Sequence, residues 1–287
     1  MTTVDELAAD TPIEQITEPG IFDLTDAQYH GQTGSLSSTG VRQLLPPSCP
    51  AKFRWKQDHP EHKEPWDLGH AAHRLVLGIG ATIDVIDADS WRTKKAKADR
   101  AASYAAGRVP LLPDSWDIAV AMAESIDGHG LAAGMLRGVH ERAMFVRDEQ
   151  TGVLLRSKPD AINDDGDLVD LKSTTDTNLD ALQKTIERFG YHVQGATYRE
   201  VAAGLDIIDR SKSGFVLVFV EKTAPYLVRV IEVDDDAIAA GWKQLRRSLE
   251  IYRDCTASGL WPGWDATVET LGLPAWANRG DDGEESW

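Results

Sequence analysis

A chain of 287 residues, 42% of them hydrophobic, can bury a sizeable core as one large domain or two small ones, and its net charge of −16 argues at first sight against a nucleic-acid surface. No apolar run approaches the roughly 18 residues of a membrane helix. The acidic start from Met1 to Asp10 lacks the basic and apolar regions of a secretory signal, and Cys49 and Cys255 are too few for a disulfide framework or a four-cysteine cluster. A cytoplasmic protein with reduced thiols is expected.

The charge is unevenly spread. Residues 1–28 carry seven acids and no Lys or Arg, and residues 265–287 carry six acids and Arg279, so the ends supply −7 and −5 and the middle only −4. Residues 1–20 therefore read as an acidic flexible tail and 265–287 as another, around a single body over 21–264. In "GQTGSLSSTGVRQLLPPSCP" a Ser/Thr cluster precedes Val41, Leu44 and Leu45, which predicts a capped short helix stopped by Pro46 and Pro47. "EPWDLGHAAHRLVLG" sets Leu68, Ala72, Leu75 and Val76 at helical spacing, with Pro65 at the start and Gly78 at the end. From Ser90 to about Leu136 the pattern stays helical, broken at "VPLLPDS", where Asp114 or Ser115 could cap the next helix. The region from about 35 to 140 is thus mainly helical. "RTKKAKADR" within it, and Arg246, Arg247 and Arg253 further on, are basic stretches whose plainest reading is a solvated helix face.

At Arg142 the character changes. "RAMFV", "GVLLRSKPDAI" and "DLVDLKS" are β-type runs separated by the hairpin-type connections "RDEQTG" and "NDDGD". Helices from about Leu179 to Phe189 and from about His192 to Ala203 follow, then the strands "GFVLVFVE" and "YLVRVIEV", then an amphipathic helix from Asp235 to about Cys255. The whole reads as α+β or mixed α/β.

Within the β-rich part, acids stand where strands usually hold β-branched or aromatic residues. If residues 153–162 and 167–172 are adjacent antiparallel strands, Asp160 and Asp170 sit side by side, and Lys172 shares the Asp170 face by two-residue alternation. Two like charges at that separation repel, a repulsion that a divalent cation relieves, and hard Mg²⁺ prefers such oxygen ligands. The bland alternative is that Asp160 ends a strand while Asp170 pairs with Lys172 or caps a turn. Three features argue for more. His73 shares a helix face with the small residue Gly69, Glu141 stands where the first hairpin brings it near Asp160, and Gln194 and Tyr198 project together at i,i+4 from one helix.

His73, Glu141, Pro159-Asp160, Asp170-Leu171-Lys172 and Gln194-x-x-x-Tyr198, in this order, resemble the motif series of the PD-(D/E)xK nucleases of the RecB type, and most closely the phage RecE (exonuclease VIII) family. "LSSTGVRQLLPPSCPAKFRW", "RSKPDAI", "VDLKST" and "YHVQGATY" extend the likeness beyond the catalytic letters, over about Tyr29 to Trp261. The resemblance departs at Leu77-Gly78-Ile79, where family helices often continue into Leu-Glu-Pro. It implies an α/β fold with a restriction-endonuclease-like core, a central mixed β-sheet flanked by helices, and an N-terminal helical elaboration. The catalytic core would run from about 141 to 255. It also implies a Mg²⁺-dependent exonuclease, with Mn²⁺ able to substitute, digesting double-stranded DNA ends 5′ to 3′. Asp160, Asp170, the Leu171 carbonyl and His73 would bind metal, Glu141 would assist, Lys172 would position the attacking water, and Gln194 with Tyr198 would orient DNA. The family further implies a homo-oligomer and a single-strand annealing protein as partner. Three alternatives remain at this stage: a structural zinc site using Cys49, His59, His62, His70 and His73, a non-catalytic DNA-end-binding protein, and a structure-specific endonuclease.

Overall fold

The computed structural model describes residues 14–59 and 67–274. Residues 1–13 and 275–287 of the acidic ends, with Pro60, His62 and Pro65, lie outside the described residues. The first half of the chain forms β1 (Gly20–Phe22), α1 (Asp26–His30), β2 (Leu36–Ser37), α2 (Ser38–Gln43), α3 (Pro50–Asp58) and α4 (Asp67–Leu77). It continues through β3 (Ile83–Val85), α5 (Lys94–Ala105), β4 (Val109–Leu111), α6 (Pro113–Gly128) and α7 (Gly130–Met135). The second half forms β5 (Val139–His140), β6 (Ala143–Arg147), β7 (Leu154–Ser157), β8 (Ala161–Ile162), β9 (Leu168–Thr174), α8 (Leu179–Phe189) and α9 (Tyr191–Gly204). It ends with β10 (Phe215–Glu221), β11 (Val228–Glu232) and α10 (Asp235–Ser258).

The strands form a mixed five-stranded sheet ordered β11-β10-β9-β8-β5, a four-stranded sheet ordered β1-β6-β7-β2, and the pair β3-β4. In the larger sheet only β9 and β10 run parallel. A parallel pair needs a crossover connection, and α8 with α9 provides it. The sequence of β10, "FVLVFVE", is apolar on both faces because both are covered. Phe215, Leu217 and Phe219 join the core shared with α2, α8, α9 and α10, whereas Val216, Val218 and Val220 join the core shared with α4, α6 and α7. Gly195 lets α9 lie directly on β10: a Cβ there would fall 2.3 Å from Cδ1 of Phe215. This is the expected mixed α/β arrangement of sheets flanked by helices, with a helical elaboration ahead of it.

Three details differ from the sequence reading. "VPLLPDS", expected to be only a helix break, contains β4, whose Val109 and Leu111 are buried and pair in parallel with β3. Neither Asp114 nor Ser115 caps α6: Leu112 is the N-cap, and Pro113 takes the first helical turn, where its missing N–H costs nothing. Residues 14–20, expected within a flexible tail, are docked. The Gln32 side chain accepts from the Ile16 N–H (2.7 Å) and donates to the Glu14 carbonyl (2.9 Å), and Ile16 packs beside Tyr29 and Phe145. The short helix α2 forms as expected, with Ser37 accepting from the Gly40 N–H.

Of the basic stretches, "RTKKAKADR" lies largely on the exposed face of α5, where Lys95 pairs with Asp99 at 2.7 Å. Arg246 has a structural task. Its guanidinium pairs with Asp148 in the β6–β7 turn and donates to Gln150 (2.7 Å), tying α10 to the hairpin. Burial pushes the Asp148 carboxyl up, but Arg246 and the Thr151 hydroxyl and N–H outweigh it and hold Asp148 below the usual carboxylate range. A depressed folded-state pKa contributes stability that is present above the unfolded value and is lost as pH falls through the folded one. Asp148→Asn should therefore cost on the order of 2 kcal/mol at pH 7. The gap in melting temperature between variant and parent should narrow as pH falls below about 4, and calorimetry across pH 3–7 checks both.

Candidate active site

The site is built on one long, bent β-hairpin. Met144 pairs with Ser157 in the four-stranded sheet, and His140 pairs with Ala161 in the five-stranded sheet, at the same register offset. The run "GVLLRSKPDAI" is thus a strand broken at Lys158-Pro159-Asp160, where it passes from one sheet to the other, and its partner breaks opposite at Glu141-Arg142. Pro159 suits the break because it has no N–H to offer a ladder. Glu141 adopts a left-handed conformation, φ 48°, and its N–H still donates to the Asp160 carbonyl at 3.3 Å. On the other side, Ala161 pairs with Val169, and one further step along that register sets Asp160 across from Asp170. The three acids Glu141, Asp160 and Asp170 therefore stand in a row on neighbouring strands.

Helices from both layers reach this row. From α4, His73 places Nε2 3.1 Å from Oδ1 of Asp160 and Nδ1 3.4 Å from Oε1 of Glu141. Gly69, one turn earlier, lies on the same face and its missing Cβ points at Ser173 of β9, 3.5 Å from the hydroxyl. From α9, Gln194 donates one amide hydrogen to Oδ1 of Asp170 (2.9 Å) and another to the Tyr198 hydroxyl (2.9 Å), which donates in turn to the Lys158 carbonyl at 3.2 Å. Lys172 pairs with Asp170 and sits over the Tyr191 ring at 5.1 Å. Asp160 also accepts from the Leu171 N–H at 2.6 Å.

The charges are strongly perturbed. Burial and then the adjacent Asp160 push the Asp170 carboxyl up to about 6, against the pull of Lys172. Asp160 goes the other way: burial would raise it, but His73, Lys172 and the Leu171 N–H hold it below its ordinary value. Burial opposes the charged forms of His73 and Lys172, yet the carboxylates win. His73 is raised to about 9, mainly by Asp160, and Lys172 is raised by Asp170 and Asp160. Burial and Asp170 push Tyr198 well above the usual phenol range, so it remains a donor.

All of the residues singled out in the sequence, His73, Glu141, Asp160, Asp170, Leu171, Lys172, Gln194 and Tyr198, come together here. Lys158, Asp26 and Tyr191 join them without having been singled out. The Lys158 ammonium bridges Asp26 and Glu141, 3.0 Å from Oε2 of the latter. A signal for it was present: Arg156, Lys158 and Asp160 alternate on one strand. Asp26 carried none, since it sits at the first turn of a short helix far away in sequence. The zinc alternative fits less well. His73 faces Asp160 and Glu141, and His59 bonds the Trp55 carbonyl (2.9 Å) and stacks on its ring.

Among the described residues no three His, Cys, Asp or Glu side chains are gathered into a finished metal cage. In kind, however, the donors suit a hard divalent cation: the buried carboxylate of Asp170 and the half-buried one of Asp160, with an imidazole alongside, and Oδ2 of Asp170 pairs with the Lys172 ammonium but has no hydrogen-bond partner among the described residues.

Residues 39–270 match the PDDEXK-like domain of unknown function DUF3799. The chain belongs to this family. No curated protein matches it. The DUF3799 chain is similar in fold to the crystal structure of a "Putative exonuclease" from Eubacterium rectale, with a TM-score of 0.61 over 91% of this chain and 99% of that one at 15% identity. The alkaline exonuclease from Laribacter hongkongensis shares 14% identity over 82% of this chain and 97% of that one, with a TM-score of 0.34. The family match makes the domain PDDEXK-like, and the likeness to the Eubacterium rectale structure shows a shared mixed α/β fold.

Gly138 offers a test of the hairpin that carries the acids. It has φ 127°, and a Cβ there would fall 2.1 Å from the Ile162 carbonyl oxygen, a backbone atom that cannot rotate away. Gly138→Ala should destabilise the fold by roughly 2–4 kcal/mol through strain and clash at the β5–β8 contact. Gly128→Ala, which meets nothing within 4 Å, should leave the denaturant midpoint near that of the parent.

Proposed function

We propose that this DUF3799 protein is a divalent-metal-dependent deoxyribonuclease that resects the ends of double-stranded DNA. The observation that carries the reading is the row Glu141, Asp160 and Asp170 at the hairpin break, with Lys172 on the Asp170 face. Two like charges brought together largely out of water are costly for stability, and a fold gains nothing from placing them together. A nuclease does. Asp160, Asp170, the Leu171 carbonyl and His73 would hold Mg²⁺, or Mn²⁺ in its place, with His73 giving up the proton that the carboxylates otherwise keep on it. Bound there, the ion would polarise the phosphodiester and lower the pKa of its water.

The remaining roles fall to the chain's own groups. The Lys172 ammonium, anchored by Asp170 and the Tyr191 ring, orients a water or offsets charge growing on the phosphate. Glu141, held by Lys158 and His73, assists from the far side of Asp160. Gln194 fixes the Asp170 carboxylate in orientation and, with Tyr198, faces the DNA end. Digestion 5′ to 3′, a homo-oligomeric state and a single-strand annealing protein as partner complete the reading. They rest on the RecE-like motif series, and the "exonuclease" description of the Eubacterium rectale protein agrees with the activity.

Incubation of one linear and one closed circular duplex with Mg²⁺ tests the proposal. Loss of the linear form alone marks an exonuclease, cutting of the circle marks an endonuclease, and retention of both marks a non-catalytic end-binding protein. Asp170→Asn should abolish metal binding and cleavage together, because a neutral amide does not replace a charged ligand for a hard cation. Lys172→Ala should keep the metal and the DNA but lose on the order of a hundredfold or more in single-turnover rate. Gln194→Ala should lower cleavage of ends while calorimetric Mg²⁺ affinity stays within about threefold of the parent. A large loss of affinity there would make Gln194 a support of the metal ligands and not of the substrate.

A further inference from the structure

Beyond the site, a groove of about 530 Å³ opens at the free edge of the five-stranded sheet, between α8, β11 and the start of α10. Its floor is apolar: Leu182 and Ile186 of α8 meet Ile231, Val233 and Ala237. Leu179, one helical turn before Leu182, extends the stripe and is 56% exposed. The floor is the rim of the main core, since Ile186, Ile231 and Ala237 are only partly buried against it. Carboxylates surround it, from Asp180, Glu187, Glu232 and Asp234, and no Lys or Arg among the described residues lines it. Burial keeps the lining His192 below its ordinary pKa, so the imidazole does not offset them.

Two of these acids serve their own helices: Asp234 caps α10 and Asp180 lies in the first turn of α8. Glu187 and Glu232 serve neither. Both are exposed, and neither makes an ion pair or side-chain hydrogen bond with another described residue. An apolar floor with an acidic rim selects its occupant. Nucleic acid and anionic lipid are repelled. The chain's own end, "ANRGDDGEESW", brings more acid than base, and a second copy of a chain with net charge −16 does the same. We propose that this groove docks a basic amphipathic segment of a partner protein, with apolar side chains at helical spacing on the floor and Lys or Arg on Glu187 and Glu232. The groove adjoins the proposed active site through α9, which turns Gln194 toward Asp170 and His192 toward the groove.

The test uses the full-length protein and a fluorescent Leu/Lys peptide with an i, i+3, i+4, i+7 apolar stripe, read by anisotropy. A Leu/Glu peptide of the same pattern and a Leu/Lys peptide of scrambled order serve as probes of charge and of shape. The striped Leu/Lys peptide alone should bind, and Glu187→Lys with Glu232→Lys should weaken it about tenfold or more. Because any cationic peptide is drawn to an acidic protein, Glu124→Lys with Asp127→Lys on the exposed face of α6 makes the same charge change on the opposite side of the sheet, and should leave affinity within about twofold. No binding, equal binding of the scrambled peptide, or equal weakening by the two double variants overturns the proposal. A parent dimer in sedimentation that the Glu187 and Glu232 changes abolish would assign the groove to a second copy. Tighter peptide binding after removal of residues 275–287 would assign it to the chain's own end.

Discussion

The arrangement depends on a register that survives a break. If the hairpin of β5–β6 and β7–β8 slipped by one residue on passing between sheets, every side chain beyond the break would change face. It does not slip. The same offset pairs Met144 with Ser157 and His140 with Ala161, so Glu141 and Asp160 stay opposite one another at the one place where the ladder opens. An opened ladder frees backbone groups and bends the strands apart, which gives acids a place that a continuous sheet would close.

The bend also explains how two helices on opposite faces of one sheet reach the same row of carboxylates. Asp170 belongs to the β9 face covered by α9, and Gln194 meets it there. His73 comes from α4, on the other face, yet its ring reaches Asp160 beyond the end of the short strand β8. A longer β8 would put a wall between the two layers. The ion pairs then balance the row: His73 lies between Asp160 and Glu141, Lys172 beside Asp170, and Lys158 between Glu141 and Asp26. Each buried acid has a cation, which is the condition under which buried charge is tolerated.

Much of this was legible in the sequence because it is local. The helix expected to end at about Phe189 does so, capped by the αL glycine Gly190, and the period-two pattern of "VDLKST" fixes which face Asp170 and Lys172 share. Long, strongly periodic helices such as α10 were equally plain. What was not legible is long-range. The partition of one β-run between two sheets follows from what covers each face, and no pattern within "GVLLRSKPDAI" states it. Asp26 meets Lys158 across 132 residues, and a lone acid in a five-residue helix has no periodicity to betray its partner. The strand β4 was hidden for a related reason: three residues with a central proline carry little strand signal, and pairing with β3 decides the matter.

The net charge of −16 misleads when taken as a property of the whole surface. At physiological ionic strength a charge is screened over about 8 Å, so what an approaching molecule meets is the local set of groups. At the hairpin break each carboxylate stands beside an ammonium or imidazolium, and the field there is far weaker than the total suggests. At the groove between α8 and β11 no Lys or Arg among the described residues lines the acids, and the field is stronger than the average. The chain thus presents two unlike faces on either side of α9. One is a compensated acidic row able to approach a phosphate, and the other is an uncompensated rim that repels it.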